Sequence, residues 1–262
     1  MSAQLELEQA GITAVGSGPA LLLAHGGGGR TESNYGPMLP RLAAAHRTIA
    51  VDYPGSGDSP RSSQPLTLDL LAERLVAAAD AEGIEQFAVA GFSLGGPVAI
   101  RLAALYPERV KALVLTATYA RVDARLSLAT DMWLRLCASG DRRLVAEYMI
   151  LMALSDAALE AAGPDGIRDR IDRLAVSVAP GTPEQVALLK EFDVRADAAR
   201  VTAPTLILAT LNDRFVSPSL QHGLHELIPG SKLKGLDSGH LVAVEVPGEW
   251  TDEVLSFLDG VR

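Results

Sequence analysis

The stretch Phe87-Ala88-Val89-Ala90-Gly91-Phe92-Ser93-Leu94-Gly95-Gly96-Pro97-Val98 decides how the rest of the chain is read. Gln86–Ala90 reads as a buried strand and Val98–Tyr106 as a helix stopped by Pro107. Between them, Gly91-Phe92-Ser93-Leu94-Gly95 fits the pattern G-x-S-x-G. A serine held between strand and helix must sit on a sharp, strained turn. Glycines two positions before and after leave room for that turn and for the helix packed behind it. The turn lifts the hydroxyl above the sheet edge and sets it at a helix N-terminus, where the dipole and free N–H groups favour developing negative charge. The pattern alone also fits a glycine-rich turn with no chemistry; the apolar run before it and the helix after it favour a nucleophile.

Outward from this turn the chain alternates between strand and helix. Gln4–Val15 holds two short β-like runs, parted near Gln9–Gly11. Ala20–Ala24, His46–Asp52 and Val110–Thr116 read as further strands, with helices at Tyr35–Ala45 (after Pro37) and Leu66–Glu82. Continuous apolar strands alternating with helices predict an α/β fold with a mostly parallel sheet covered on both faces. The rhythm breaks from about Tyr119 to Val194, where only helix-like stretches occur: Leu126–Ser139, Arg142–Leu154, Asp156–Ala162, Ile167–Val178 and Pro183–Phe192. This insertion of roughly 75 residues is the size of a small subdomain. The sheet pattern resumes with Thr205–Ala209, then a helix at Ser217–Ile228, a strand at Ser231–Leu236 and a closing helix at Gly248–Asp259. The expected organisation is a core of residues 1–118 and 195–262 and a helical insertion of residues 119–194.

A serine hydroxyl is a weak nucleophile at neutral pH and needs a base. Of the five histidines, His46 opens a strand, and His222 and His225 lie within a helix. His240, in Asp237-Ser238-Gly239-His240, follows a strand at its C-terminal end, where open parallel sheets build their sites. It is the expected base. The base needs an orienting carboxylate. Asp213, in Leu211-Asn212-Asp213-Arg214, holds the same position after the preceding strand, and the order Ser93, Asp213, His240 is the one this architecture uses. Asp213 could instead cap the next helix, but Ser217 is nearer for that; Asp237 is the rival acid and reads as a turn residue. His25-Gly26-Gly27-Gly28-Gly29 comes straight after a buried strand. Glycine lets backbone approach closely, so the N–H groups of Gly27 and Leu94 are the expected oxyanion donors. His25 reads as a buried structural imidazole bonded to loop carbonyls.

Composition excludes several other classes. Lys and Arg number 23 against 32 Asp and Glu, a formal charge of −9, with no basic stripe, which disfavours nucleic acid as a partner. The single cysteine, Cys137, rules out an intramolecular disulfide and a Cys-rich metal site and fits a cytoplasmic setting. The N-terminus lacks a signal-peptide pattern, and the apolar run Ala20–Ala24 is too short to span a bilayer, so no membrane partner is expected. Gly26–Gly29 has no Walker lysine, and no motif asks for a metal or other cofactor. The expected partner is a small-molecule carbonyl substrate, and the expected assembly a monomer or homodimer.

The chain resembles the α/β-hydrolase superfamily, and within it the serine-nucleophile lactonase, esterase and C–C-bond hydrolase group. The resemblance rests on His25–Gly29, Asp52–Ser59, Gly91–Gly96, Ala203–Leu208, Asn212–Arg214 and Ser238–His240, and it covers essentially the whole chain. It implies the α/β-hydrolase fold: a mostly parallel eight-stranded sheet flanked by helices, with a helical cap over the site. It also implies cleavage of a small ester, lactone or thioester through a Ser93–His240–Asp213 triad and an acyl-enzyme. Relatives on the same scaffold carry out acyl transfer, elimination, cyclisation or C–C cleavage in natural-product pathways, and a non-catalytic ligand-binding protein is a further alternative. Relatives that use an aspartate nucleophile are disfavoured by Ser93. Two departures stand out. Thr210 occupies a position often held by Gly, a change expected to matter little. Arg30–Tyr35 lacks the aromatic residue common there, which implies a differently shaped pocket.

Overall fold

The computed structural model describes residues 11–261. Its strands are β1 (Ile12–Val15), β2 (Ala20–Ala24), β3 (Arg47–Val51), β4 (Phe87–Phe92), β5 (Val110–Thr116), β6 (Thr205–Thr210) and β7 (Lys232–Leu236). They form one sheet in the order β1-β3-β2-β4-β5-β6-β7. β1 runs antiparallel to β3, and the other pairings are parallel. Seven strands thus lie among the described residues where eight were expected; the earlier of the two β-like runs read in Gln4–Val15 falls outside them.

The central strands are apolar on both faces because both faces are covered. All six residues of β4 and of β6 are buried. Side chains alternate along a strand, so Leu22, Ile49, Val89, Leu113 and Ile207 pack on one side of the sheet and Leu21, Leu23, Ala50, Val114 and Leu208 on the other. The helices Leu68–Ala81 and Gly95–Leu105 bury Leu71, Leu75, Val98 and Leu102 against the first side. Leu39–Ala45 and Pro247–Asp259 bury Leu42, Trp250 and Val254 against the second. Burying each such aliphatic side chain contributes roughly 1.5–3 kcal/mol.

Between β5 and β6 lie the helices Ala124–Ala138, Arg142–Ala153, Asp156–Ser177, Thr182–Leu188 and Arg195–Ala198. The first three begin at side-chain caps: Asp123 accepts from Leu126 N–H, Asp141 from Arg143 and Leu144, and Ser155 from Ala158. The two stretches read at 156–162 and 167–178 join across a kink. Gly163 turns to φ 61° and Pro164 follows, where the missing N–H and the ring's clash with the preceding turn break the ladder. An isolated Arg121–Asp193 bridge draws the two ends of this region together. Among the described residues, no helix is long and apolar enough to cross a membrane.

Candidate active site

Ser93 sits between β4 and the helix Gly95–Leu105 with φ 52°, a left-handed conformation that costs a non-glycine residue roughly 1–3 kcal/mol. The surroundings enforce it. The Ser93 N–H donates to Thr116 O at 3.0 Å, and the Thr118 hydroxyl donates to Ser93 O at 2.7 Å. The flanking glycines are steric requirements: a Cβ on Gly91 would lie 2.3 Å from Gly95 O, and one on Gly95 would lie 1.9 Å from Ala24 O. The sequence spacing therefore records how closely the turn is pressed against β2 and its own helix.

The three residues remote in sequence converge above the C-terminal edge of the sheet. Ser93 Oγ lies 3.0 Å from His240 Nε2, and His240 Nδ1 lies 2.7 Å from Asp213 Oδ2. A carboxylate only accepts, so Nδ1 carries the proton toward Asp213 and Nε2 is left to accept the serine proton. Ser93 is 5% exposed, His240 3% and Asp213 5%, so the chain of polar contacts runs through protein rather than water. Phe92 and Phe215 rings flank the imidazole at 5.1 and 5.5 Å between centroids.

Asp213 is held by both of its oxygens. Oδ1 accepts from the N–H groups of Phe215 and Val216 at 2.8 Å each. Oδ1 thus closes the turn ahead of the helix Pro218–Leu227 without capping the helix itself, while Oδ2 faces His240. Ser217, expected to be the better cap, makes no side-chain capping bond to the helix Pro218–Leu227 and pairs with the Ser219 hydroxyl instead. Oδ2 also receives a hydrogen bond from Thr210 Oγ1 at 2.9 Å. Gln221, fully buried, fixes that hydroxyl: its Nε2 donates to Thr210 Oγ1 at 2.9 Å while its Oε1 accepts the Thr210 N–H at 3.0 Å. The expectation that Thr210 matters little is corrected here, because a glycine there would leave Oδ2 without this donor. No motif in the sequence marks Gln221.

The loop Gly26–Gly29 is braced by two side chains. Gly26 N–H donates to Asn34 Oδ1 and Gly28 N–H to Gln185 Oε1, both at 2.8 Å. Gln185, on the helix Thr182–Leu188, also reaches Pro54 O and Ser56 Oγ, so it joins that helix to two loops. The amides of Gly27 and Leu94 donate to no partner among the described residues. A Cβ on Gly27 would stand 3.6 Å from the Leu94 side chain, which puts the two residues side by side. Gly28 takes φ 71°, and a Cβ there would strike the Trp133 ring at 2.8 Å. His25 is fully buried. Its Nδ1 donates to Gly26 O and its Nε2 accepts from Tyr53 N–H, each at 2.8 Å, which fixes one tautomer. Burial lowers its pKa to about 4, against the opposing pull of Asp52 and the bond to Gly26. His25 bonds one carbonyl and one N–H, not carbonyls alone as the sequence suggested.

A cavity of about 710 Å³ opens above Ser93, Gly27 and His240 and is walled by Trp133, Met149 and Phe215, among others. That is ample for a small organic ligand. Of the large apolar residues on the helices of 119–194, Trp133 and Met149 line it, whereas Met132 is 41% exposed and Met152 packs on the core. Glu245 ties the start of the helix Asp156–Ser177 to the loop that carries His240. Its carboxylate accepts from Ser155 N–H (3.0 Å), Ser155 Oγ (2.5 Å) and Gly239 N–H (3.1 Å), next to His240. A Cβ on Gly239 would lie 2.5 Å from Ser155 N, so this junction also needs glycine.

The remaining candidates stand apart. His225 pairs with Ser231, His222 is exposed, and His46 is buried at the start of β3. Asp237 accepts from Asn212 Nδ2 at 2.6 Å, which makes it the turn residue expected. Cys137 is half-buried in the helix Ala124–Ala138, and burial raises its thiol pKa.

Comparison with known proteins bears on the same scaffold. Residues 19–247 match the family model described as alpha/beta hydrolase fold. The chain is 32% identical over 245 residues to a pyrrolizixenacetamide deacetylase of Xenorhabdus hominickii, covering 93% of this chain and 92% of that one. It is 32% identical over 221 residues to a pimeloyl-[acyl-carrier protein] methyl ester esterase of Neisseria meningitidis, covering 80% and 82%. Among solved structures, an alpha/beta hydrolase from a deep-sea metagenome library superimposes with a TM-score of 0.88 at 22% identity, covering 95% of this chain and 94% of that one.

Proposed function

The chain belongs to the α/β-hydrolase family and is an enzyme of that fold, and from that premise we propose that it hydrolyses a small ester, lactone, thioester or comparably activated acyl compound by way of an acyl-enzyme on Ser93. The observation that carries this reading is the unbroken relay Ser93 Oγ–His240 Nε2 at 3.0 Å and His240 Nδ1–Asp213 Oδ2 at 2.7 Å, opening into the cavity.

In this reading Ser93 Oγ attacks the carbonyl carbon while His240 Nε2 takes its proton. Asp213 holds the imidazole in the required tautomer and stabilises the imidazolium. The Gly27 and Leu94 N–H groups receive the oxyanion, at the positive end of the helix Gly95–Leu105. Collapse expels the alcohol or thiol, which leaves with the proton from His240. Water then attacks the acyl-Ser93, giving a proton to the same nitrogen, and the acid departs as Ser93 is restored.

Residues 119–194 serve as the cap. Their helices supply Trp133, Val145 and Met149 to the cavity, which favours an apolar acyl or alcohol group beside the reacting carbonyl. The name of the Xenorhabdus relative adds an acetamide to the bonds worth testing. A panel of p-nitrophenyl esters, lactones, thioesters and aryl acetamides, run on wild type and Ser93→Ala, tests the reading. Turnover lost on substitution, with the fold retained, supports it; turnover that survives the substitution rejects it.

A further inference from the structure

The cap side of the cavity has a charge that the reaction does not use. We infer that the ligand carries a negatively charged group, held by Arg142, Arg170 and Arg173, at its end away from the reacting carbonyl. The inference rests on the proposed hydrolysis for which bond is cut, but not for what binds.

Four arginines from three elements line this one cavity: Arg30 from the loop before the helix Thr31–Tyr35, Arg142 from the helix Arg142–Ala153, and Arg170 and Arg173 from the helix Asp156–Ser177. The single lining carboxylate is Glu32, and it pairs with Arg30. Arg142 is fixed by the carbonyls of Ala175, Val176 and Val178 at 2.8 Å each, neutral acceptors that orient its charge without cancelling it. Arg170 and Arg173, three residues apart on one helical face, make no ion pair or side-chain hydrogen bond among the described residues. Asp172, between them in sequence, is drawn away by Arg143. A chain with formal charge −9 therefore concentrates unpaired positive charge at one opening. Guanidinium groups bind carboxylate or phosphate in forked geometry, and a partly enclosed site strengthens that bond over its value in open water.

The test measures binding to Ser93→Ala protein, which needs no turnover. One arm compares monomethyl adipate with dimethyl adipate, placing the charge on the acyl half. The other compares 6-acetoxyhexanoate with its methyl ester, placing it on the alcohol half. In at least one arm the acid binds about tenfold more tightly than its neutral ester at low salt. The advantage shrinks toward roughly 0.5 M salt as screening sets in. Adding Arg170→Gln and Arg173→Gln collapses the ratio of acid to ester affinity in that arm. Equal binding of acid and ester in both arms, absence of binding by either acid at millimolar concentration, or a salt-independent preference overturns the inference. Failure of wild type to hydrolyse neutral esters rejects the serine-hydrolase reading alone, because the binding arms are read without it.

Discussion

The Thr210 hydroxyl donates to Oδ2 of Asp213 at 2.9 Å, the same oxygen that accepts the hydrogen bond from His240 Nδ1. Two donors on one oxygen fix both the carboxylate's rotation and the height at which the imidazole meets it. Thr210→Val keeps the shape and removes one donor. A hydrogen bond to a charged group contributes about 1.5–3 kcal/mol, so kcat should fall roughly tenfold with KM little changed, while Thr210→Ser retains most activity. Steady-state kinetics on the three proteins checks this; equal kcat for Thr210→Val and wild type would show that Gln221 and the backbone suffice.

Asp213→Asn is the harsher change on the same axis. An amide can present its N–H to His240 Nδ1 and stabilise the wrong tautomer, leaving Nε2 protonated toward Ser93. A fall in kcat of roughly 10³–10⁴-fold is expected, with a native-like melting curve.

Gln185 predicts a structural effect felt at the site. Its substitution by Ala removes a fully buried side chain and strands the Gly28 N–H, leaving Pro54 O and Ser56 Oγ without their donor. Each stranded buried group costs about 1–3 kcal/mol. Thermal melting should show Gln185→Ala several degrees below wild type, with kcat reduced as the oxyanion loop loosens. An unchanged Tm would mean that water replaces the amide without cost.

The fold and the turn that carries Ser93 were legible because they are set by short-range requirements. Gly91 and Gly95 are dictated by contacts within a few ångström of the turn. The apolar runs at 20–24, 87–92 and 110–116 are dictated by burial on both faces of a parallel sheet. Gln185 and Glu245 were not legible. Each works through a partner far away in the chain, Gln185 with Gly28 and Glu245 with Ser155, and a lone polar residue carries no pattern for such a pairing. The bond from Thr210 to Asp213, three residues on, depends on side-chain orientation in the turn, which the sequence does not mark. The kink at Gly163 was visible as a break between two helices, but their continuation as one element was not. Cavity-lining residues on the helices of 119–194 shared the same apolar spacing as packing residues, so Trp133, which lines the cavity, and the exposed Met132 could be separated only in the fold.

His25 makes a pH-dependent contribution of definite sign. Burial lowers its folded pKa to about 4, below the unfolded value of 6.5. Above pH 6.5 both states are neutral and the full stability is present. As pH falls from 6.5 toward 4 the unfolded chain takes up a proton that the folded chain refuses, and up to about 3 kcal/mol is lost. In an NMR titration the His25 imidazole should stay neutral at pH 5 with its proton on Nδ1. A midpoint near the ordinary histidine value would show that burial does not control this ring.

The proposed hydrolysis rests on the reactivity of Ser93. Intact-mass spectrometry of wild type, acid-quenched during turnover of a p-nitrophenyl ester, reads it directly. The expected result is one acyl group per chain on wild type, mapped by peptide analysis to Ser93 and absent from Ser93→Ala. Turnover with no acyl group on Ser93, or with the group on another side chain, would contradict it.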